Sequence, residues 1–368
     1  MHYCRMPIEV ESPEELGYST IKNNLAESSV RDRRLGDFGI DLSDLLLSYG
    51  EHRGNAHLRQ AIVADAPQLH PDQVLVCPGA ATALFMVHTT LLRPDNHLIV
   101  IRPNYATNLE TPRAIGCQVT VIDLSFEEGF VLDPERIRRA LRPNTVLISI
   151  TSPQNPTGVV IPAATILELA EMAAAAGCYL LVDETYRYLN FQTTLTPWAA
   201  TLSPAVISVC SFSKAFGAPG IRIGWLLHQQ PEFLNRLLAA KEQIIITNSV
   251  VDEAIALGIL QQKAALLAEE HRHIRENFTL LQHWMEYEQD IFEWVMPTAG
   301  VVCFPRFKTG LEDNTASFYK NLYEKHHTLV GAGHWFERDD RYFRLGFGFP
   351  AATELKDGLA CLVSASHR

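Results

Sequence analysis

Lys214 stands at the end of a short apolar run, Val-Ile-Ser-Val-Cys-Ser-Phe, and is followed by Gly217, Gly220 and, eight residues on, Arg222. Such a lysine is partly shielded from water. Desolvation favours an amine's neutral form, and a neutral amine is a nucleophile towards aldehydes. The glycines allow a tight turn and a close approach of backbone to ligand. Ser211, Ser213 and Arg222 add two hydroxyls and a guanidinium fork, a set that suits a phosphate. An aldehyde at one end of a ligand and a phosphate at the other describes pyridoxal 5′-phosphate (PLP).

The elements that must position these groups alternate along the chain. Residues 74–92 read as strand, glycine turn and helix, with free backbone N–H groups after Gly79 offering an anion site at a helix start. Residues 97–116 repeat the plan, 145–158 give a buried β-branched strand ending in Ser-Pro-Gln-Asn-Pro-Thr-Gly, and 178–191 give another ending at Asp183. Asp133 and Pro134 read as the cap and first residue of a further helix. This alternation predicts an α/β fold with a mostly parallel sheet flanked by helices. Ligands of such sheets bind at the carboxyl ends of the strands. Asn155, Asp183 and Lys214 fall there, separated by 28 and 31 residues, the length of one strand–helix–strand unit. With the Gly79 loop they converge on one site.

PLP chemistry needs a carboxylate to keep the pyridine nitrogen protonated, and Asp183 is the candidate. Asn155 and Tyr186 can donate to the ring oxygen, and Tyr105 can stack on the ring. Arg344, inside an alternating strand, needs an anionic partner if buried; a substrate α-carboxylate and a structural ion pair both fit. Taken singly, Asp183 also reads as a helix cap, Asn155 as the start of an Asn-Pro turn and Tyr105 as packing.

Residues 1–48 read as an irregular arm, with a short helix closing at Gly50. Residues 49–240 are expected to form a large cofactor-binding domain and 241–368 a smaller α+β domain. The latter opens on a long bridging helical stretch, interrupted at 244–249, and continues through a hairpin-like segment around Thr298, a helix over 314–326, a strand at Arg344 and a last helix. With 47% hydrophobic and 20% charged residues, the chain has the balance of a water-soluble globular protein. A formal net charge of −11 without a basic block argues against nucleic acid. Seven scattered cysteines without a CxxC pair argue for reduced thiols and a cytoplasmic setting. The first residues lack the apolar core of a signal peptide, no run is long enough for a membrane span, and no metal-ligand spacing is present.

The set Tyr49 to Arg59, CPGAATAL, RPNY, SPQNPTG, VDETY, SFSKAFGAPGIRIGW and YFRLGFG resembles, in order, the class I/II aminotransferases of the fold type I PLP-dependent enzymes, over residues 24–362. The resemblance implies transfer of an amino group from an L-α-amino acid to a 2-oxo acid, with Lys214 as the Schiff-base lysine and proton carrier. It implies Asp183 on the pyridine nitrogen and Tyr186 and Asn155 on the ring oxygen, with Tyr105 over the ring. Gly79, Ala80, Ala81, Ser211, Ser213 and Arg222 would hold the phosphate, and Arg344, with Asn155 and Ser28, the substrate. Tyr49 would reach the neighbouring subunit's cofactor phosphate, making a homodimer the working unit. The chain departs from the family at Leu25-Ala26-Glu27-Ser28, where a Gly-Glu-Pro-like turn is usual; Glu27 there is a candidate for facing a cationic or polar substrate side chain. A PLP lyase or cyclase of the same fold, catalysing β-elimination, decarboxylation or amino-acid cyclisation, shares this PLP cradle. A non-catalytic sensor, such as the aminotransferase-like half of a transcription regulator, would need a DNA-binding domain, and the residues before the sheet are too few and too acidic for one.

Overall fold

A computed structural model describes residues 1–191, 196–308 and 315–366. The arm opens with two one-turn helices, α1 (Pro7–Val10) and α2 (Pro13–Leu16), each with proline in its first turn, where the missing N–H is not needed. This corrects the expectation of a wholly irregular arm. Strand β1 (Asn23–Asn24) follows.

The expected helix closing at Gly50 does not form: residues 42–50 hold only turns and irregular chain. Leu46 and Leu47 are 77% and 75% exposed, so no apolar face is buried to offset the cost of nucleating so short a helix. Locally, Ser43 N–H donates to Asp41 Oδ1 at 2.9 Å, a side-chain bond that competes with helix formation.

Next come α3 (Ala56–Ile62), β2 (Val74–Cys77), α4 (Gly79–Leu91), β3 (His97–Arg102), α5 (Thr107–Ile115), β4 (Gln118–Asp123), α6 (Pro134–Ala140) and β5 (Thr145–Thr151). They are followed by α7 (Ala163–Ala176), β6 (Tyr179–Asp183), β7 (Val206–Ser211) and β8 (Gly224–Leu227). Asp133 caps α6 by accepting from Glu135 N–H at 3.0 Å. The seven strands β2 to β8 form one sheet in the order β2-β8-β7-β6-β5-β3-β4. All neighbours are parallel except β8, which runs antiparallel to both β2 and β7. Strands β6, β7 and β8 are buried almost throughout, as expected of strands covered on both faces.

Beyond the sheet lie α8 (Pro231–Ile244), α9 (Val250–Gln261) and α10 (Lys263–Tyr287). Then follow β9 (Phe292–Glu293), β10 (Val302–Cys303), β11 (Arg306–Phe307) and α11 (Thr315–Glu324). The chain closes with β12 (Thr328–Leu329), β13 (Gly331–Ala332), β14 (Phe343–Gly346) and α12 (Ala352–Ser366). The expected start of a helix at 314 lies outside the described residues. The segment around Thr298 is a hairpin only in part: β9 pairs antiparallel with β11, whereas β10 pairs with β14.

The arm is stitched to this C-terminal part. Strand β1 pairs parallel with β12, Leu25 N–H donates to Leu329 O at 2.9 Å, and Gly346 N–H donates to Leu25 O at 2.7 Å. The arm then crosses to the lysine turn, where Val30 N–H donates to Lys214 O at 3.0 Å and Arg33 N–H to Gly217 O at 2.8 Å. A side chain at Gly217 would run into Arg31 O, and its φ is +57°, so glycine is required there. Among the described residues no helix is long and apolar enough to cross a membrane, no cluster of side chains is placed to hold a metal ion, and all seven cysteines are free.

Candidate active site

The carboxyl ends of β5, β6 and β7 open onto one cleft of about 500 Å³, a volume within the range of small-ligand sites. Strand register sets the spacing at its floor: Thr151 pairs with Asp183 across β5 and β6, and Asp183 with Val209 across β6 and β7. Lys214, three residues beyond β7, is half-buried, and its Nζ donates to Ser28 Oγ at 2.9 Å. Asp183 is buried; its Oδ1 accepts from Thr185 N–H at 3.0 Å and Thr185 Oγ1 at 2.6 Å. Burial raises the Asp183 carboxyl above the ordinary range, against the hydrogen bonds from Thr185 and the nearby Lys214 ammonium. Its Oδ2 has no hydrogen-bond partner among the described residues, so a carboxylate oxygen is free for a cationic ring nitrogen.

Tyr186 and Asn155 stand on the same cleft. The Tyr186 hydroxyl is buried without a partner, an arrangement that costs about 1–3 kcal/mol unless a ligand supplies one. Asn155 Oδ1 accepts from Arg344 Nη1 at 3.1 Å, which leaves its N–H₂ group as the donor. Tyr105 lines the cleft and donates its hydroxyl to Glu9 Oε1 at 3.0 Å; burial and that carboxylate raise its phenol above the ordinary range.

At one end the cleft becomes a cradle. Helix α4 begins at Gly79, φ +80°, where an added Cβ would stand 2.6 Å from Arg222 Nη2. A Cβ on Gly224 would lie 2.6 Å from Gly79 C. Ala80, Ala81, Ser211 and Ser213 face the cleft beside the Arg222 guanidinium, which donates to Ser213 Oγ at 3.3 Å. Gly79 itself does not line the cleft; it holds the turn. A helix start, two hydroxyls and a guanidinium form a phosphate-sized anion site. The free Asp183 oxygen, the unpartnered Tyr186 hydroxyl and this cradle together fit PLP.

Arg344, on β14, is 4% exposed. Its Nη2 donates to Ala26 O at 2.7 Å, its Nε has no partner, and it forms no ion pair among the described residues. The structural ion pair considered for it is therefore absent among the described residues. Ser28 joins the cleft through its bond to Lys214. Tyr49 does not reach the cleft of its own chain and is 83% exposed.

The sequence reading did not single out Thr185, Trp335 or the arm carboxylates Glu9, Glu14 and Asp32, all of which line the cleft. Thr185 carried a signal: a hydroxyl two residues after Asp183 can orient that carboxylate. The arm residues carried one too, in the prolines at the starts of α1 and α2. A buried ion pair nearby was also missed. Glu184 and Arg187 are both buried and bond at 2.8 Å, with the Arg187 guanidinium 3.6 Å from the centre of the Trp198 ring.

Residues 25–356 match the family model "Aminotransferase class I and II". Capreomycidine synthase of Streptomyces vinaceus is 25% identical over 354 residues, covering 94% of this chain and 90% of that protein. A PLP-dependent aminotransferase from Streptococcus suis superposes with a TM-score of 0.90 at 28% identity, over 99% of this chain and 98% of that one. The PLP-dependent cyclase OrfR, at 24% identity and a TM-score of 0.89 over 99% of this chain and 97% of its own, shares the fold. With that match spanning most of the chain and a cleft whose groups fit the cofactor, the protein belongs to the class I and II aminotransferases, PLP-dependent enzymes of fold type I.

Proposed function

We propose that the protein is a transaminase that moves an amino group from an L-α-amino acid to a 2-oxo acid. The observation that carries this reading is the sharing of one cleft by the Lys214 amine and the buried, ion-pair-free Arg344 guanidinium. PLP, when bound, supplies an electron sink for charge developing at the substrate's Cα. Arg344 binds the α-carboxylate, with Asn155 fixing the plane of the guanidinium, and so retains the group that a decarboxylase would expel. Lys214 Nζ takes the proton from the donor's Cα and, in the second half of the cycle, gives one to the acceptor's carbon, held in line meanwhile by Ser28. Asp183, oriented by Thr185, would keep the cofactor's ring nitrogen protonated; Tyr186 and Asn155 would donate to its ring oxygen, and Tyr105 would pack on the ring. The Gly79 turn, Ala80, Ala81, Ser211, Ser213 and Arg222 would hold its phosphate. We assign Tyr49 to the partner subunit's cradle in a homodimer, a role that its exposure in the single chain leaves open to it.

The test is incubation of the purified protein and PLP with an amino-acid donor and a 2-oxo-acid acceptor. The expected result is a matched pair of products, one new oxo acid and one new amino acid, and none with Lys214→Ala. Release of pyruvate and ammonia without consumption of acceptor marks elimination instead. A second reading, cyclisation of an amino acid, is favoured by the match to capreomycidine synthase over nearly the whole of both chains; a cyclic product formed without any acceptor selects it.

A further inference from the structure

We propose that the amino-acid substrate carries a cationic side chain, a guanidino or ammonium group, held at the cleft mouth by the carboxylates of Glu27, Asp32, Glu14 and Glu9 while Arg344 takes its α-carboxylate. The inference rests on the proposed chemistry at Lys214 and names the substrate class for it.

The charges in the cleft are segregated. Its cations come from outside the arm, Lys214 and Arg222 from the segment between β7 and β8 and Arg344 from β14, and are each matched to an aldehyde, a phosphate or a carboxylate. The arm side contributes four carboxylates and no lysine or arginine. None of the four forms an ion pair among the described residues. Glu27 accepts only from the Tyr18 hydroxyl, at 3.4 Å, and Glu9 only from Tyr105. Arg31, next to Asp32 in the chain, is instead paired with Glu354. Partial burial and the Glu27 charge raise the Asp32 carboxyl above the ordinary range, against the Lys214 and Arg31 charges, with Glu14 adding to the repulsion. The Tyr18 phenol is raised by burial and by the same carboxylates. The arm side therefore presents four carboxylates to the cleft without an ion-pair partner among the described residues.

A second observation fixes which end of the substrate goes where. Arg344 is buried with its Nε unpartnered on this cleft, a group that requires an anion. The backbone ties that anchor to the carboxylates. Arg344 Nη2 is bonded to Ala26 O, and Gly346, two residues along β14, abuts the Glu27 carbonyl so closely that no Cβ fits there. An amino acid held by Arg344 and reacting at Lys214 extends its side chain beneath the arm. A cation there is attracted, a neutral group gains nothing from the charges, and an anion is repelled.

The test compares L-arginine and L-lysine with their near-isosteric neutral counterparts L-citrulline and L-norleucine, and with L-glutamate, by absorbance and calorimetric titration of the holoenzyme. The cationic ligands are expected to bind about tenfold or more tighter than the neutral ones, since several partly exposed charge pairs act together. Glu27→Gln combined with Asp32→Asn is expected to reduce that ratio to about threefold or less. Equal or tighter binding of the neutral or acidic ligands overturns the inference and leaves the transaminase reading standing. An undiminished ratio in the double variant overturns the assignment to these carboxylates. A holoenzyme that responds to no amino acid of any charge overturns this inference together with the transaminase reading on which it rests.

Discussion

Lys214 Nζ donates to Ser28 Oγ at 2.9 Å across 186 residues of chain. The bond makes the arm part of the reaction centre, because the amine is oriented by a residue that β1 and β14 hold in place. Ser28→Ala is expected to lower kcat about fivefold, the worth of one hydrogen bond of about 1 kcal/mol. Retention of the cofactor's absorbance in the variant shows that the loss is one of positioning. Unchanged kcat would separate the arm from the chemistry.

Asp183 is buried as a carboxyl whose ionisation the protein itself disfavours. A carboxyl raised in the folded state binds more protons there than in the unfolded chain, so stability is fully present below the unfolded pKa and is lost as pH rises through the folded one. In the cofactor-free protein Asp183→Asn, which removes this penalty, is expected to raise the melting temperature at pH 7.5. The difference is expected to shrink towards pH 4. The same substitution is expected to lower turnover of the PLP-loaded protein at least a hundredfold, on the order of 3 kcal/mol in the barrier. Thermal melts across pH and steady-state kinetics check the two halves independently. A variant with lower stability at pH 7.5 would show that the Thr185 hydrogen bonds outweigh burial.

Glu184 and Arg187 form a buried pair behind the site, with Ala199 N–H also donating to Glu184 Oε2 at 3.2 Å. Removal of one partner strands a buried charge. Glu184→Ala is therefore expected to destabilise the protein by about 3–5 kcal/mol, read as a lower urea midpoint. Glu184→Gln, which keeps the shape and an acceptor, is expected to lose less. Equal losses in the two variants would place the effect in packing rather than charge.

Much of this arrangement follows from short-range patterns. Alternating strands and helices, the Asp133 cap and the glycine at the start of α4 are properties of neighbouring residues, and so were legible in the chain. Because each strand–helix–strand unit has nearly the same length, the strand-end positions of Asn155, Asp183 and Lys214 were legible too. The resemblance to known aminotransferases then supplied roles that spacing alone left open, such as the α-carboxylate for Arg344.

Tertiary structure decided what depends on partners far away in sequence. Whether residues 42–50 are helical rests on whether Leu46 and Leu47 find a surface to cover, and in the folded chain they do not. Whether Arg344 is ion-paired rests on which carboxylates the arm brings near, and it brings none within bonding reach. The convergence of Glu9, Glu14, Glu27 and Asp32 over Lys214 has no periodicity and no motif. It arises because β1 pairs with β12 and the close passage at Gly346 and Gly217 clamps the arm across the cleft. Backbone hydrogen bonds and steric fit between distant segments set that path, and neither is written in the order of nearby residues.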